Sequence, residues 1–542
     1  MSAPPRTTTK DLRPRPRTHR HRVRGLAAVR RPELLLGALL AAAVSLIPGV
    51  YLIIRAGEAG WDRILAEVFT ARVGAMTWRS IALMVVVWLF STLLGVSAAL
   101  LVTRTNVPGR RAFGILLALP LAVPSYVAAY TWVAVADLWN PTGRFDGFWA
   151  AAIVLSLYSY PYVYLPVVGT LAGQDAAPAE IARALGHREF SVLWRVVLPA
   201  AMPAITSGGL LVALYTLSDF GAVSILRVDT FTRAVFTAFS VGFDRTGAIA
   251  LAALLMVFAL LVVTAESLAR GAERRQAKVG GAGRRRVVPQ DLGRGRWIAF
   301  AVLGGLVITA LGVPLAALVR WNLAGVSRPG GFGEVISAIG GSLGASLLGA
   351  ALTILLAIPL GLYAARVPSR LSRALERLVF VTHSLPGVMI GLSLVFFGIN
   401  VVHALYQSIW LLGLAYVTLF LPLAVAAVTS AAKQAPLALE EVAQSLGSTP
   451  LEALRRVTLP VMLPGIGAGA ALVSLTAMKE LPATLLLRPT GMETLATRLW
   501  TYTAVEAYAA AAPYAAILVA LAAVPTWLLA SGSGAFGREP QQ

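Results

Sequence analysis

Three charged residues, Asp219, Lys479 and Glu480, stand inside long apolar stretches, where an unpaired charge is costly. Asp219 and Glu480 are 261 positions apart by subtraction of their numbers and sit at equivalent points of two similar segments. Two carboxylates lining one pathway would offer the oxygen donors that a hard cation prefers. The competing reading is local: Lys479 and Glu480 pair with neighbours, or all three lie at a wet helix end. Tyr158, Tyr160, Tyr162 and Tyr164 alternate beside Pro161 and Pro166. Phenols can ligate hard metal cations, but residues two apart on a helix do not share a face, so these read as packing or interfacial aromatics around a bend. His383 and His403 are isolated, and neither is assigned as a metal ligand. The absence of cysteine excludes disulfides, thiolate metal sites and thiol nucleophiles. No Gly-x4-Gly-Lys-Ser/Thr loop occurs, so ATP has no phosphate cradle of that kind in this chain. No clustered histidines or nucleophile-and-base set suggests an enzyme.

The elements that must carry these residues are membrane helices. The chain of 542 residues is 57% hydrophobic and 13% charged. Its apolar residues come in runs of about 20, the length a helix needs to cross a hydrocarbon layer. Backbone groups in lipid must pair internally, so the runs are helices. Six spans are expected near 33–55, 78–103, 112–136, 148–171, 203–226 and 246–268. A second six are expected near 297–319, 342–365, 377–401, 408–432, 464–487 and 511–531. The net charge of +21 could suggest nucleic acid, but its placement argues for membrane orientation. The N-terminal tail holds about ten Lys/Arg and the central linker about nine, the positive-inside pattern that puts both termini in the cytoplasm. Nucleic acid is not needed as a partner; lipid is.

The chain divides into a disordered basic tail (1–31), a first half (32–268), a basic linker (269–296), a second half (297–531) and a short C-terminal tail (532–542). An even number of spans in each half gives both the same orientation, as in parallel repeats. The halves share one short phrase, in loops 172–199 and 433–460. Glu180-Ile181-Ala182, three residues, Gly186, nine residues and Val196-Val197-Leu198-Pro199 form the first copy. Glu441-Val442-Ala443, three residues, Gly447, nine residues and Val457-Thr458-Leu459-Pro460 form the second. Pro203 and Pro464 keep the same offset, and Arg104 pairs with Arg366 at 262. The duplication is secure.

Each copy reads as helix–turn–helix. Pro178 suits a first turn, and Gly186 or Gly447 can take the left-handed backbone that breaks a helix sharply. Phe190, Leu193, Trp194 and Val197 then fall on one apolar stripe, with Pro199 ending that helix. In the second copy Thr449-Pro450-Leu451-Glu452 forms a capping box. Arg188, Arg195, Arg455 and Arg456 add positive charge. Such a knob is shaped to enter a groove on a partner.

This phrase resembles the "EAA" loop of permease subunits of binding-protein-dependent ABC importers, with only the middle alanine replaced. The resemblance covers nearly the whole chain after residue 70. Two six-helix halves in one chain look like the fused permeases of the ferric-iron and thiamine type. Leu119 to Tyr130, Leu217-Ser218-Asp219-Phe220-Gly221-Ala222-Val223 and Lys479 to Pro489 are similar to the iron branch. The resemblance implies an all-α membrane protein of the type I importer class with a MetI-like fold, in a bacterial cytoplasmic membrane. It implies that Glu180, Ala182, Gly186, Leu198 and Pro199, with Glu441, Ala443, Gly447, Leu459 and Pro460, belong to loops that dock on the ATPase. It places Asp219, Lys479 and Glu480 as candidates for the pathway. The implied partners are separate ABC ATPase subunits, as a homodimer holding ATP and magnesium, and an extracytoplasmic receptor; this chain itself binds no cofactor. Ferric iron is the favoured cargo, with thiamine, phosphonate and polyamine as alternatives on the same architecture. A secondary transporter of the major-facilitator kind also has twelve helices in two parallel halves. Pro108-Gly109-Arg110-Arg111 echoes the end of its signature, but the acidic residue expected before it is missing.

Overall fold

The computed structural model describes residues 32–139, 144–276, 289–324, 331–367, 369–382 and 385–532. The expected tail at 1–31, the final residues from 533, the linker between 277 and 288, and His383 lie outside them. Among the described residues nine helices are long and apolar enough to cross a membrane. They are α1 (Pro32–Ala59), α2 (Ala71–Arg104), Gly147–Ala172, Glu189–Ser218 with α3 (Leu198–Ser218) as its main part, Arg245–Ala265, Gly295–Leu323, α4 (Phe332–Arg366), α5 (Ile409–Gln434), and Pro450–Met478 with α6 (Leu459–Met478) as its main part. Tyr508–Val524 is a shorter apolar helix, and two bent pairs complete the series. Each of the twelve expected places holds a helix over part or all of its described residues.

Two expectations change in detail. The third span of each half is broken: Arg110–Ala122 meets Ser125–Asp137 at 96°, and Arg370–Thr382 meets Gly387–Asn400 at 98°. Proline disfavours helical backbone in the residue before it, and Val123, ahead of Pro124, is extended. The fifth spans, expected at 203–226 and 464–487, start earlier, in the loop helices, and end at Ser218 and Met478. Separate short helices, Gly221–Ile225 and Pro482–Leu487, follow each break.

Proline also explains three π-turns. Leu193–Val197, Ile308–Gly312 and Leu454–Thr458 each end two residues before a proline: Pro199, Pro314 and Pro460. A proline ring clashes with the carbonyl four residues back and supplies no N–H to it. Widening the turn removes the clash, and the amides of Leu198 and Leu459 reach back to Leu193 and Leu454. Pro199 therefore does not end the loop helix, as its position suggests; the helix runs on through it into α3.

Close approach between spans depends on small residues, the usual device where lipid supplies no hydrophobic drive between helices. A Cβ on Gly349 would lie 2.5 Å from the Tyr416 ring, and one on Gly361 would lie 2.7 Å from Val428, so α4 and α5 touch nearly backbone to side chain. A Cβ on Gly208 would lie 2.7 Å from the Tyr162 carbonyl oxygen, and one on Gly469 would lie 2.7 Å from Ala427.

The first helix of each half lies on the opposite half. The Tyr51 hydroxyl of α1 donates to the Phe396 carbonyl at 3.2 Å, and the Ser393 hydroxyl donates to the Pro48 carbonyl at 2.6 Å. Gly37 abuts Pro359 of α4. In exchange, Phe300 of the Gly295–Leu323 helix packs edge-on against Phe113 at 5.3 Å. Two buried cores result, and each mixes residues of both halves: Val87 with Leu303 and Leu518 in one, Leu52 with Leu392 and Leu255 in the other. The boundaries 32–268 and 297–531 divide the chain, whereas the packing runs across them.

Candidate functional site

Both repeat loops fold alike. The first runs through Ala177–Ala184, turns at Gly186 with φ +86°, and resumes at Glu189–Val192. The second runs through Leu437–Ser445, turns at Gly447 with φ +94°, and resumes at Pro450–Ala453. Gly186 N–H donates to the Arg183 carbonyl at 2.9 Å, and His187 N–H to the Ala182 carbonyl at 3.1 Å. Gly447 donates to Gln444 at 3.0 Å, and Ser448 to Ala443 at 3.1 Å. This double closure with a left-handed residue is the Schellman end of a helix. The glycine of the phrase thus has a local cause, the left-handed backbone at which each helix ends. Leu198 and Leu459 begin α3 and α6, with the exposed Pro199 and Pro460 next.

The capping box forms as the sequence suggests. The Thr449 hydroxyl accepts from Glu452 N–H at 3.3 Å, and the Glu452 carboxylate accepts from Thr449 N–H at 3.0 Å. The Thr449 N–H, and after it the Thr449 hydroxyl donating to the same carboxylate at 3.1 Å, hold the Glu452 carboxyl below its ordinary range. In the first loop Arg183 instead bonds Glu189 at 2.6 Å, tying its two short helices together.

The expected stripe of Phe190, Leu193, Trp194 and Val197 is only partly exposed. Phe190 is 73% exposed and Trp194 58%, whereas Val197 is buried. The π-turn shifts the helical period between them, so residues beyond it leave the face. The outward apolar surface combines Ile181, Leu185, Phe190 and Trp194, and in the second loop Val442, Leu446 and Leu451. Glu180 is partly buried and Glu441 exposed; Arg188, Arg195, Arg455 and Arg456 are all exposed. A crevice of about 190 Å³ opens between the two helices of the first loop, against Ile181, Leu185, His187, Ser191 and Arg195.

Residues outside the phrase hold these loops to the spans. Arg104, at the end of α2, donates to the Leu171 carbonyl at 3.4 Å and bonds the Gln174 side chain. Arg366, at the end of α4, donates to the Ala435 carbonyl at 3.2 Å and lies 2.9 Å from the Glu440 carboxylate. Sequence reasoning used the two arginines only to align the repeats, and it passed over Glu440. The available signal was a basic residue at matching ends of two spans.

The two carboxylates within apolar segments accept from the first turns of the short helices Gly221–Ile225 and Pro482–Leu487. The Asp219 carboxylate accepts from Ala222 N–H at 3.0 Å and Val223 N–H at 3.2 Å. The Glu480 carboxylate accepts from Ala483 and Thr484 N–H, both at 2.9 Å, and from the Thr484 hydroxyl at 2.8 Å. Lys479 points its ammonium at the Leu121 carbonyl of the other half, at 3.5 Å, and the Tyr126 hydroxyl donates to the Lys479 carbonyl at 3.2 Å. The local reading therefore has specific partners: backbone amides for the carboxylates and the opposite half for the lysine. Among the described residues no three acidic or histidine side chains converge on a point that could hold a metal.

The tyrosines pack inside one span, Gly147–Ala172. The helix Gly147–Ser159 hands over to Pro161–Ala172 at Tyr160, and Tyr158, Tyr160 and Tyr164 are buried there. The Tyr164 hydroxyl donates to the Gly114 carbonyl at 3.2 Å, and the Tyr162 ring lies 5.4 Å from that of Tyr215. His403 is exposed, with its ring stacked on Tyr406.

Comparison with known proteins adds a family. The family described as "binding-protein-dependent transport system inner membrane component" matches twice, over residues 91–278 and 357–531. The chain is 36% identical over 485 residues to the Fe(3+)-transport system permease protein FbpB 2 of Haemophilus influenzae, covering 89% of this chain and 95% of the relative. It is 24% identical over 247 residues to the sulfate transport system permease protein CysW of Escherichia coli, covering 43% of this chain and 85% of the relative. Over 182 residues it is 28% identical to the spermidine/putrescine transport system permease protein PotC of Haemophilus influenzae, covering 33% of this chain and 69% of the relative.

Proposed function

We propose a function from one premise: the chain belongs to the family of binding-protein-dependent transport system inner membrane components, with both halves fused in one polypeptide. It is a multi-pass permease of an ABC importer, served by a solute receptor and an ATPase. Its cargo is ferric iron, a reading supported by the long match to the Fe(3+)-transport permease. Sulfate and polyamine permeases match shorter stretches at lower identity and support the family rather than the cargo.

The observation that carries the mechanism is the pair of loops closed by the same hydrogen bonds and presenting apolar side chains outward. Each loop seats on one subunit of a separate ATPase homodimer, which holds ATP and magnesium; both termini lie on that cytoplasmic side. Leu185, Phe190 and Trp194 in one loop, and Leu446 and Leu451 in the other, enter the ATPase surface. Glu180, Ala182 and Gly186, like Glu441, Ala443 and Gly447, set the angle between the helices that do so. Leu198-Pro199 and Leu459-Pro460 join the loops to α3 and α6, so nucleotide-driven closure turns these spans. Access then alternates between the two sides, each state favoured by its own contacts. Asp219, Lys479 and Glu480 act at the seam between the halves, holding the broken helices that border the pathway. Reconstitution tests this reading. Vesicles containing the chain, its ATPase and its receptor should accumulate ferric iron with ATP, and vesicles containing the chain alone should not. Accumulation by the chain alone would overturn it.

A further inference from the structure

The two loops are fixed to their spans by different chemistry. Arg366 ends α4, Ala435 directly follows α5, and Glu440 lies in the loop helix Leu437–Ser445. One guanidinium joins all three: its two terminal nitrogens are each 3.2 Å from the Ala435 carbonyl, and one is 2.9 Å from Glu440. The pair is out of water, with side-chain exposures of 7% and 3%. At the equivalent place in the first half, Arg104 donates to neutral acceptors among the described residues, the Leu171 carbonyl and Gln174, and alanine (Ala179) stands where Glu440 would be. The Arg183–Glu189 pair of the first loop is 43% and 45% exposed and links the loop to itself, not to a span.

We propose that Arg366 and Glu440 are positioning residues that make the second loop a rigid lever on α4 and α5, while the first loop keeps a more yielding mount through Arg104. The inference rests on the reading of these loops as the ATPase-docking elements. A desolvated ion pair resists separation strongly, because a stranded charge has no water to turn to. Arg104 also donates charge-assisted bonds, but its acceptors are neutral, so parting them strands one charge rather than two. Motion of the second loop therefore passes at once to two spans, whereas the first loop can shift before its span follows.

The test uses the paired substitution Arg366→Met with Glu440→Gln, which removes both charges and strands neither. Amide hydrogen exchange on the purified chain should be about tenfold faster across residues 436–447 and unchanged across 177–186. In vesicles with ATPase and receptor, ATP hydrolysis should persist while ferric iron taken up per ATP falls about fivefold. Arg104→Met should lower that ratio by less than about twofold. Unaltered exchange at 436–447 would overturn the mount, and it requires no ATPase. Unaltered uptake per ATP, or uptake and hydrolysis falling together, would overturn the positioning role. If the loops do not dock an ATPase, the unsubstituted complex shows no receptor-stimulated hydrolysis, which separates failure of the functional reading from failure of this one.

Discussion

At the scale of single residues, most of the signature reduces to backbone geometry. Gly186 and Gly447 have open space where a Cβ would go, so crowding does not demand glycine there; the positive φ does. Replacing both with valine should leave the spans inserted but deform both loops, and uptake by reconstituted vesicles should fall at least about tenfold, since a β-branched residue resists this conformation. Uptake at the original rate would remove the loops from the coupling path. Asp219 and Glu480 give a second residue-level prediction. As caps, they need an acceptor, not a charge, and losing one costs about 0.5–2 kcal/mol. Asp219 accepts through one oxygen, so Asp219→Asn should retain most uptake; Glu480 accepts through both, so Glu480→Gln should retain less, and Asp219→Ala and Glu480→Ala should lower the melting temperature of the purified chain. Complete loss of uptake in the amide variants, with unchanged melting, would mean that the carboxylates hold the cargo directly. The sequence made both roles available. Only the placement of the amides of Ala222, Val223, Ala483 and Thr484 gave the carboxylates visible partners.

At the scale of elements, proline has opposite effects in different settings. Pro124 stands at a sharp break, while Pro199 and Pro460 are absorbed by π-turns that keep one helix continuous from loop to membrane. Hydropathy located the spans but not this continuity, because a proline next to a polar loop reads as a terminus. Restoring the missing N–H by Pro199→Ala and Pro460→Ala would let the π-turn close to an α-turn. That change rotates the loop helix by about 100° relative to its span. ATP hydrolysis should continue in the reconstituted complex, with uptake per ATP several-fold lower. If the ratio does not change, the π-turns are incidental to force transfer.

At the scale of the molecule, the exchanged first helices decide what can fold alone. The buried face of α1 includes Leu34, Ala38, Ala41 and Leu52, and it packs on the second half. Truncating that contact should cost several kcal/mol, as buried leucines lost to cavities do. A chain cut within the linker should therefore yield two fragments that purify together when co-expressed. Each fragment expressed alone should be degraded or aggregate in detergent. A single monodisperse half would show that the exchange adds nothing to stability.

The sequence by itself determined the membrane class, the duplication, the loop phrase and the family it resembles. These are written in local patterns: apolar runs of bilayer length, a fixed offset, and a glycine where each loop turns with φ > 0. The tertiary structure decided which half each first helix covers, which arginines hold the loops, where the fifth spans stop, and which amides the carboxylates of Asp219 and Glu480 cap. The physical reason is range. Periodicity and turn chemistry act within a few residues, whereas the partners of α1, Arg366 and Lys479 lie 69 to several hundred positions away, brought together only by packing of the whole chain.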